Sequence, residues 1–184
     1  MKKQSYSGTT PAGIVASASL TTMVQAAMIA AIYGVLTFIA NTFALANGAV
    51  QIRFSEALTI LPYFTPAAIP GLFIGCLLSN ILTGCALPDI IFGSLATLLG
   101  ALGTYGLRRW KWCAPICPII SNMIIVPLVL IYGYGLLIDG WSVLQCFGYY
   151  CLTVGAGEVI SCGILGMILL LTLEKYRGKI FESD

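Results

Sequence analysis

The sequence predicts an all-α integral membrane protein with six transmembrane helices. Three observations carry this. The 184 residues are 59% hydrophobic and 9% charged, against about 25% charged in soluble domains. Mean hydropathy is +0.96, more apolar surface than a chain this short can bury in water. Eight of the nine Lys and Arg fall in three short stretches between uncharged runs, the pattern of a chain held in register across a bilayer. The chain contains no histidine, which excludes histidine-based catalysis, proton relay and metal ligation. A net charge of +2 is too small to point to nucleic acid.

Residues 1–22 read as a polar amino-terminal extension beginning with Lys2 and Lys3. No apolar core precedes Ala16-Ser17-Ala18, so a cleaved signal is not expected. The first span is 23–40, long enough for a hydrocarbon core of about 30 Å. Residues 41–51 break it, with Asn47-Gly48 as a turn signal. The uncharged stretch 57–88 is either one long span or two short ones, and positive charge decides. One span would put Arg108, Arg109 and Lys111 on the opposite side from the other cations. Two spans, 52–64 and 67–83, bring all three basic stretches to the cytoplasm. Spans 89–107, 114–138 and 143–173 follow, then a charged cytoplasmic tail, 174–184. Both termini are thereby cytoplasmic, and 23–173 is a single six-helix domain.

This topology leaves Arg53, Glu56, Asp89 and Asp139 near outer helix ends and Glu158 well inside the last span. Ionisable groups within a span cost roughly 2.5–3.5 kcal/mol on insertion scales, so each needs an occupation. Glu158 follows Gly155-Ala156-Gly157; it is either a protonated group bonded between helices or an acceptor for a ligand or ion. Arg53 and Glu56 share a face if helical, and form either a mutual salt bridge or part of a binding pocket. Asp89 suits a helix N-cap, with a ligand role as the alternative. Asn80 and Asn122 must find partners within their spans, from another helix or from a ligand. Trp141, Tyr149 and Tyr150 fit an interfacial aromatic belt, or a surface on which a flat ligand stacks.

Small residues recur every four positions: Ala26/Ala30 and Ala27/Ala31, then Gly71, Gly75, Ser79 and Thr83, then Ala96 and Gly100. Such faces let helices approach closely in lipid. The seven cysteines lack metal-ligand spacing and read as small hydrophobes; no metal or cofactor is implied. No phosphate-binding loop, nucleophile elbow or zinc-protease motif occurs, so an enzyme is not expected. There is no convincing internal repeat.

The run Val50-Gln51-Ile52-Arg53-Phe54-Ser55-Glu56-Ala57-Leu58-Thr59-Ile60-Leu61-Pro62 resembles the signature of the QueT family. The family comprises the proposed queuosine-precursor substrate-binding (S) components of energy-coupling-factor (ECF) transporters. The stretches Phe64-Thr65-Pro66-Ala67-Ala68-Ile69-Pro70-Gly71-Leu72-Phe73-Ile74-Gly75-Cys76, Asp89-Ile90-Ile91-Phe92-Gly93-Ser94-Leu95-Ala96-Thr97 and Gly155-Ala156-Gly157-Glu158 extend the resemblance over about 25–173. The extension 1–22 departs from it.

The resemblance implies an S-component-like bundle in the plasma membrane that captures a 7-deazaguanine queuosine precursor or queuine from outside. It implies an ECF transmembrane coupling subunit and two ABC-type ATPases as partners, with ATP hydrolysis left to the latter. A small-residue motif on the first helix would contact the coupling subunit; it falls on Ala26/Ala30 or Ala27/Ala31, and the sequence leaves both open. A carboxylate accepts the paired N–H and NH2 donors of a guanine-like edge, and a second suits a cationic side arm. Glu56 and Glu158 are therefore the expected readers of the base, with Asn80 and an outer aromatic such as Trp141 assisting, and Arg53, Asp89 and Asn122 nearby. The competing readings are an S-component for another vitamin and a stand-alone proton-coupled carrier using Glu158.

Overall fold

Uncharged runs leave the backbone to satisfy itself, and in lipid a helix does so within one segment. A computed structural model of the chain describes residues 11–43 and 52–177. Every element among these is helical. The turn at Asn47-Gly48, the residues Val50 and Gln51, the cations Lys2, Lys3 and Lys179, and the rest of 1–10 and 178–184 lie outside the described residues.

Six helical segments run along one bundle. Helix α1 is Pro11–Thr42, opened by a proline at the position where its missing N–H costs nothing. The first span thus continues upstream through residues expected as a polar extension; its apolar part is Leu20–Thr42. A 3-10 helix, Phe54–Tyr63, comes next. Helix α2 is Ala68–Leu82, α3 is Asp89–Gly106, α4 is Lys111–Gly133 and α5 is Val143–Glu174. Helices α1, α3, α4 and α5 are long and apolar enough to cross a membrane; α2 is apolar but shorter. Several apolar helices of this length are the pattern of a multi-pass membrane protein.

Two boundaries differ from expectation. The second segment, expected as a short helix over 52–64, is a 3-10 helix buried from Ser55 to Pro62. It packs against α1, α2, α3 and the second half of α5, so Leu58, Ile60 and Leu61 join Ile29, Tyr33, Leu72, Cys76, Ala101 and Leu170 in the core. Helix α4 ends at Gly133 rather than near 138, because Gly135 takes a φ of 67°, a left-handed conformation that stops the helix.

Small residues set the closest contacts. A Cβ on Gly71 would stand 2.7 Å from the Ala26 carbonyl, and one on Gly75 would stand 3.0 Å from Ala30 Cα. Ala26 and Ala30 therefore face α2, whereas Ala27 and Ala31 are exposed. Gly100 meets Pro118 in the same way, at 2.8 Å, and Ser121 donates to the Ala96 carbonyl at 3.0 Å.

One end of the bundle carries Arg108, Arg109 and Lys111, with Lys111 paired to Glu174 at 3.1 Å. The chain enters α1 and leaves α5 at this end. The opposite end gathers the close of α1, Arg53, the α2–α3 turn and the residues after α4 around one cavity. Among the described residues, three π-helical turns open α3 at Asp89–Gly93, close α4 at Val129–Gly133 and interrupt α5 at Val159–Leu165. Such turns arise where one residue is accommodated beyond the α-helical register, and two of them adjoin acidic residues of the site.

Candidate ligand-binding site

The cavity has a volume of about 380 Å³ and is lined by Thr37, Asn41, Arg53, Asn80, Asp89 and Tyr134, among others. That size lies within the usual range for small-molecule pockets. Asp89 is 7% and Asn80 3% exposed. The Arg53 guanidinium meets the Asp89 carboxylate at 3.8 Å, and Asn80 Nδ2 donates to the Asp89 carbonyl at 3.4 Å. Below, Arg53 and Val126 also line a small void of about 10 Å³, together with Gly93, Thr97, Asn122 and Glu158. Arg53 thus stands between an outer chamber and an inner one.

Two buried carboxylates on different elements lie at this void: Glu158 lines it, and Glu56 is joined to it through Asn122. Glu56, on the 3-10 helix, accepts from Tyr33 Oη on α1 at 2.5 Å and from Asn122 Nδ2 on α4 at 3.4 Å. Glu158, on α5, accepts from the Cys162 thiol one helical turn on, at 3.1 Å. Cys162 also lies 3.4 Å from the Glu56 carbonyl and from Thr59 Oγ1. Ligand atoms of Glu56, Glu158 and Cys162 all lie within 4.8 Å of one another, so these three are the residues that could converge on a cation. All three are buried. Two acidic groups this close are stabilised by donors or a positive charge reaching both. Ser55 Oγ is buried with no hydrogen-bond partner among the described residues.

Arg53, Glu56, Asn80, Asp89, Asn122 and Glu158 are thereby brought together. Arg53 does not form its ion pair with Glu56; it precedes the 3-10 helix in an extended conformation, with φ at −112°, and reaches Asp89. Asp89 caps no helix with its side chain. Trp141 stands outside the cavity lining, 47% exposed and edge-on to Tyr149 at 5.8 Å. Tyr134 is the aromatic ring at the cavity, its hydroxyl accepting from the Ala86 N–H at 3.2 Å. Tyr33, Thr37, Tyr134 and Cys162 are missed by sequence reasoning. The signal for Tyr33 was a lone polar ring within an otherwise apolar span.

The family model described as "QueT transporter" matches residues 23–175. The chain belongs to the QueT transporter family. The family is one of transporters rather than enzymes, which agrees with the missing catalytic motifs. Among curated proteins, the chain is similar to the "Queuosine precursor transporter QueT" of Lactococcus lactis subsp. cremoris (strain MG1363). They are 36% identical over 90 residues, covering 48% of this chain and 53% of that protein. The match therefore spans about half the length of this QueT relative. No solved structure matches the chain. The matched region runs from residue 23 within α1 to the end of α5 and takes in every residue lining the cavity and the void.

Proposed function

We propose that this chain is the membrane-embedded substrate-binding subunit of an ATP-driven ECF importer, taking a 7-deazaguanine queuosine precursor or queuine from outside the cell. The observation that carries the reading is a cavity of about 380 Å³ that shares Arg53 with a small void at two buried carboxylates, whose oxygens lie within 4.8 Å of each other. A guanine-like edge presents neighbouring N–H and NH2 donors to one carboxylate. A cationic side arm suits the other, in a region where three acidic groups, Glu56, Asp89 and Glu158, surround the single cation Arg53. Asn80, Asn122 and Arg53 supply the remaining polar contacts; Trp141 stands outside this set. A site built to pair such donors rejects analogues that lack them, since its buried acceptors would go unpaired.

In this reading the protein lies in the plasma membrane with six crossings and both termini cytoplasmic. The basic end of the bundle supports that orientation, and it leaves the cavity facing outward. The exposed pair Ala27 and Ala31 borders an apolar groove of about 470 Å³ between α1 and α2, with Gly34, Phe38, Ile74 and Leu78. This groove is the proposed contact for the transmembrane coupling subunit; Ala30 also lines it, whereas Ala26 packs on Gly71 of α2. Two ABC-type ATPases supply the energy, since this sequence has no phosphate-binding loop.

The test is binding of 7-aminomethyl-7-deazaguanine and queuine to the purified protein. Glu56→Gln and Glu158→Gln are each expected to weaken binding by tenfold or more, in line with the roughly 1.5–3 kcal/mol carried by hydrogen bonds to charged groups. Undiminished affinity in both variants would overturn the assignment.

A further inference from the structure

Tyr33 has no place in the ligand set above, yet it is 1% exposed and donates its phenol to Glu56 Oε1. Its ring is seated by the close α1–α2 contact: a Cβ on Gly75 would stand 2.9 Å from Tyr33 Cβ. The hydroxyl is thus delivered by a helix that cannot easily shift away. The other Glu56 oxygen takes Asn122 at 3.4 Å, a long contact that leaves this oxygen open to a better donor. Among the described residues, the carboxylate's hydrogen-bond partners Tyr33 and Asn122 are both neutral, while Arg53 pairs with Asp89. A buried carboxylate held on one oxygen by a short bond has a fixed direction for the second.

We propose that Tyr33 is a positioning residue for ligand capture, holding Glu56 by one oxygen so that the other is aimed at the ligand's donors. The inference rests on the reading of Glu56 as a ligand acceptor. Tyr33 itself does not touch the ligand; it acts through Glu56. Fixing a first contact in its productive orientation before binding removes part of the ordering cost that binding otherwise meets.

The experiment uses the purified full chain with 7-aminomethyl-7-deazaguanine as the probe. Tyr33→Phe keeps the ring and removes only the hydroxyl; affinity is expected to fall about tenfold, with the unfolding temperature of the ligand-free protein little changed. In a Glu56→Ala background the same substitution should cost no further affinity, because no side-chain oxygen remains for the hydroxyl to hold. The infrared carboxyl band that disappears in Glu56→Gln should shift in Tyr33→Phe, a readout that needs no ligand and that a purely structural role would not move. An unshifted band, or an equal loss of affinity in every background, would overturn the proposal. If the parent chain binds and Tyr33→Phe binds as well as the parent, this inference fails alone. If the parent chain binds no deazaguanine, the functional reading fails and takes this inference with it.

Discussion

Gly93 lines the inner void beside Thr97 and Glu158. A methyl group there would lie 3.1 Å from Asp89 Oδ1 and 3.4 Å from Asn80 Nδ2. Gly93→Ala would therefore fill the space at the void and press on the Asp89 carboxylate while removing no charge. Affinity for a deazaguanine should fall by about tenfold, or roughly 1.4 kcal/mol, with the unfolding temperature held, since alanine favours the helix by up to about 1 kcal/mol. Titration calorimetry on the purified protein checks this; unchanged affinity would separate the void from the ligand. At this scale the sequence was informative about residue type and poor about pairing. The scarcity of charge made Glu56 and Glu158 conspicuous. The i, i+3 spacing of Arg53 and Glu56 suggested an ion pair that does not form, because Arg53 lies before the helix begins. Tyr33 and Glu56 meet across 23 residues, and Asn122 and Glu56 across 66. Such pairs depend on how far each helix is rotated about its axis, which no local pattern records.

The contact between α1 and α2 rests on glycines with no room for a side chain. Gly71→Val would drive a branched side chain against the Ala26 carbonyl and Ile29, and should destabilise the protein by about 1–3 kcal/mol. Gly148→Ala in α5, with nothing within 4 Å of its added methyl, is the control expected to be neutral or slightly stabilising. Thermal unfolding in one detergent compares the two. The long apolar helices α1, α3, α4 and α5 were legible as uncharged runs bounded by cations, turns and prolines. The 3-10 helix was not. Its residues are buried on all sides, Ser55, Glu56 and Thr59 included, so no solvent-facing stripe marks its period, and the coil geometry is decided by the helices that enclose it. The π-helical turns were equally hidden, since an added residue in an apolar helix leaves hydropathy unchanged.

Over the whole molecule, charge separates the two ends. In sealed inside-out vesicles, trypsin should remove a carboxy-terminal tag by cutting after exposed Lys175 or Arg177, and in intact cells the tag should survive; an immunoblot reads both. Survival in inside-out vesicles with loss from intact cells would invert the proposed orientation. The proposed even number of passes rests on the basic stretches, because the cost of carrying a cation across lipid acts on the chain as a whole. Helix length has a different consequence. The 15 residues of α2 make a cylinder about 22 Å long, and the 3-10 helix behind it is about 20 Å, whereas the hydrocarbon of a bilayer is about 30 Å thick. Ile74, Leu78, Ile81 and Leu82 on α2 are exposed, so lipid must meet this short wall. Acyl chains there have to compress or splay, at a fraction of a kcal/mol for each ångström of mismatch. The thinned annulus lies along the groove between α1 and α2, and any protein that covers that groove releases the lipid from its deformation. For the proposed coupling subunit, membrane elasticity would thereby favour docking on this side of the bundle before any side chain has made contact.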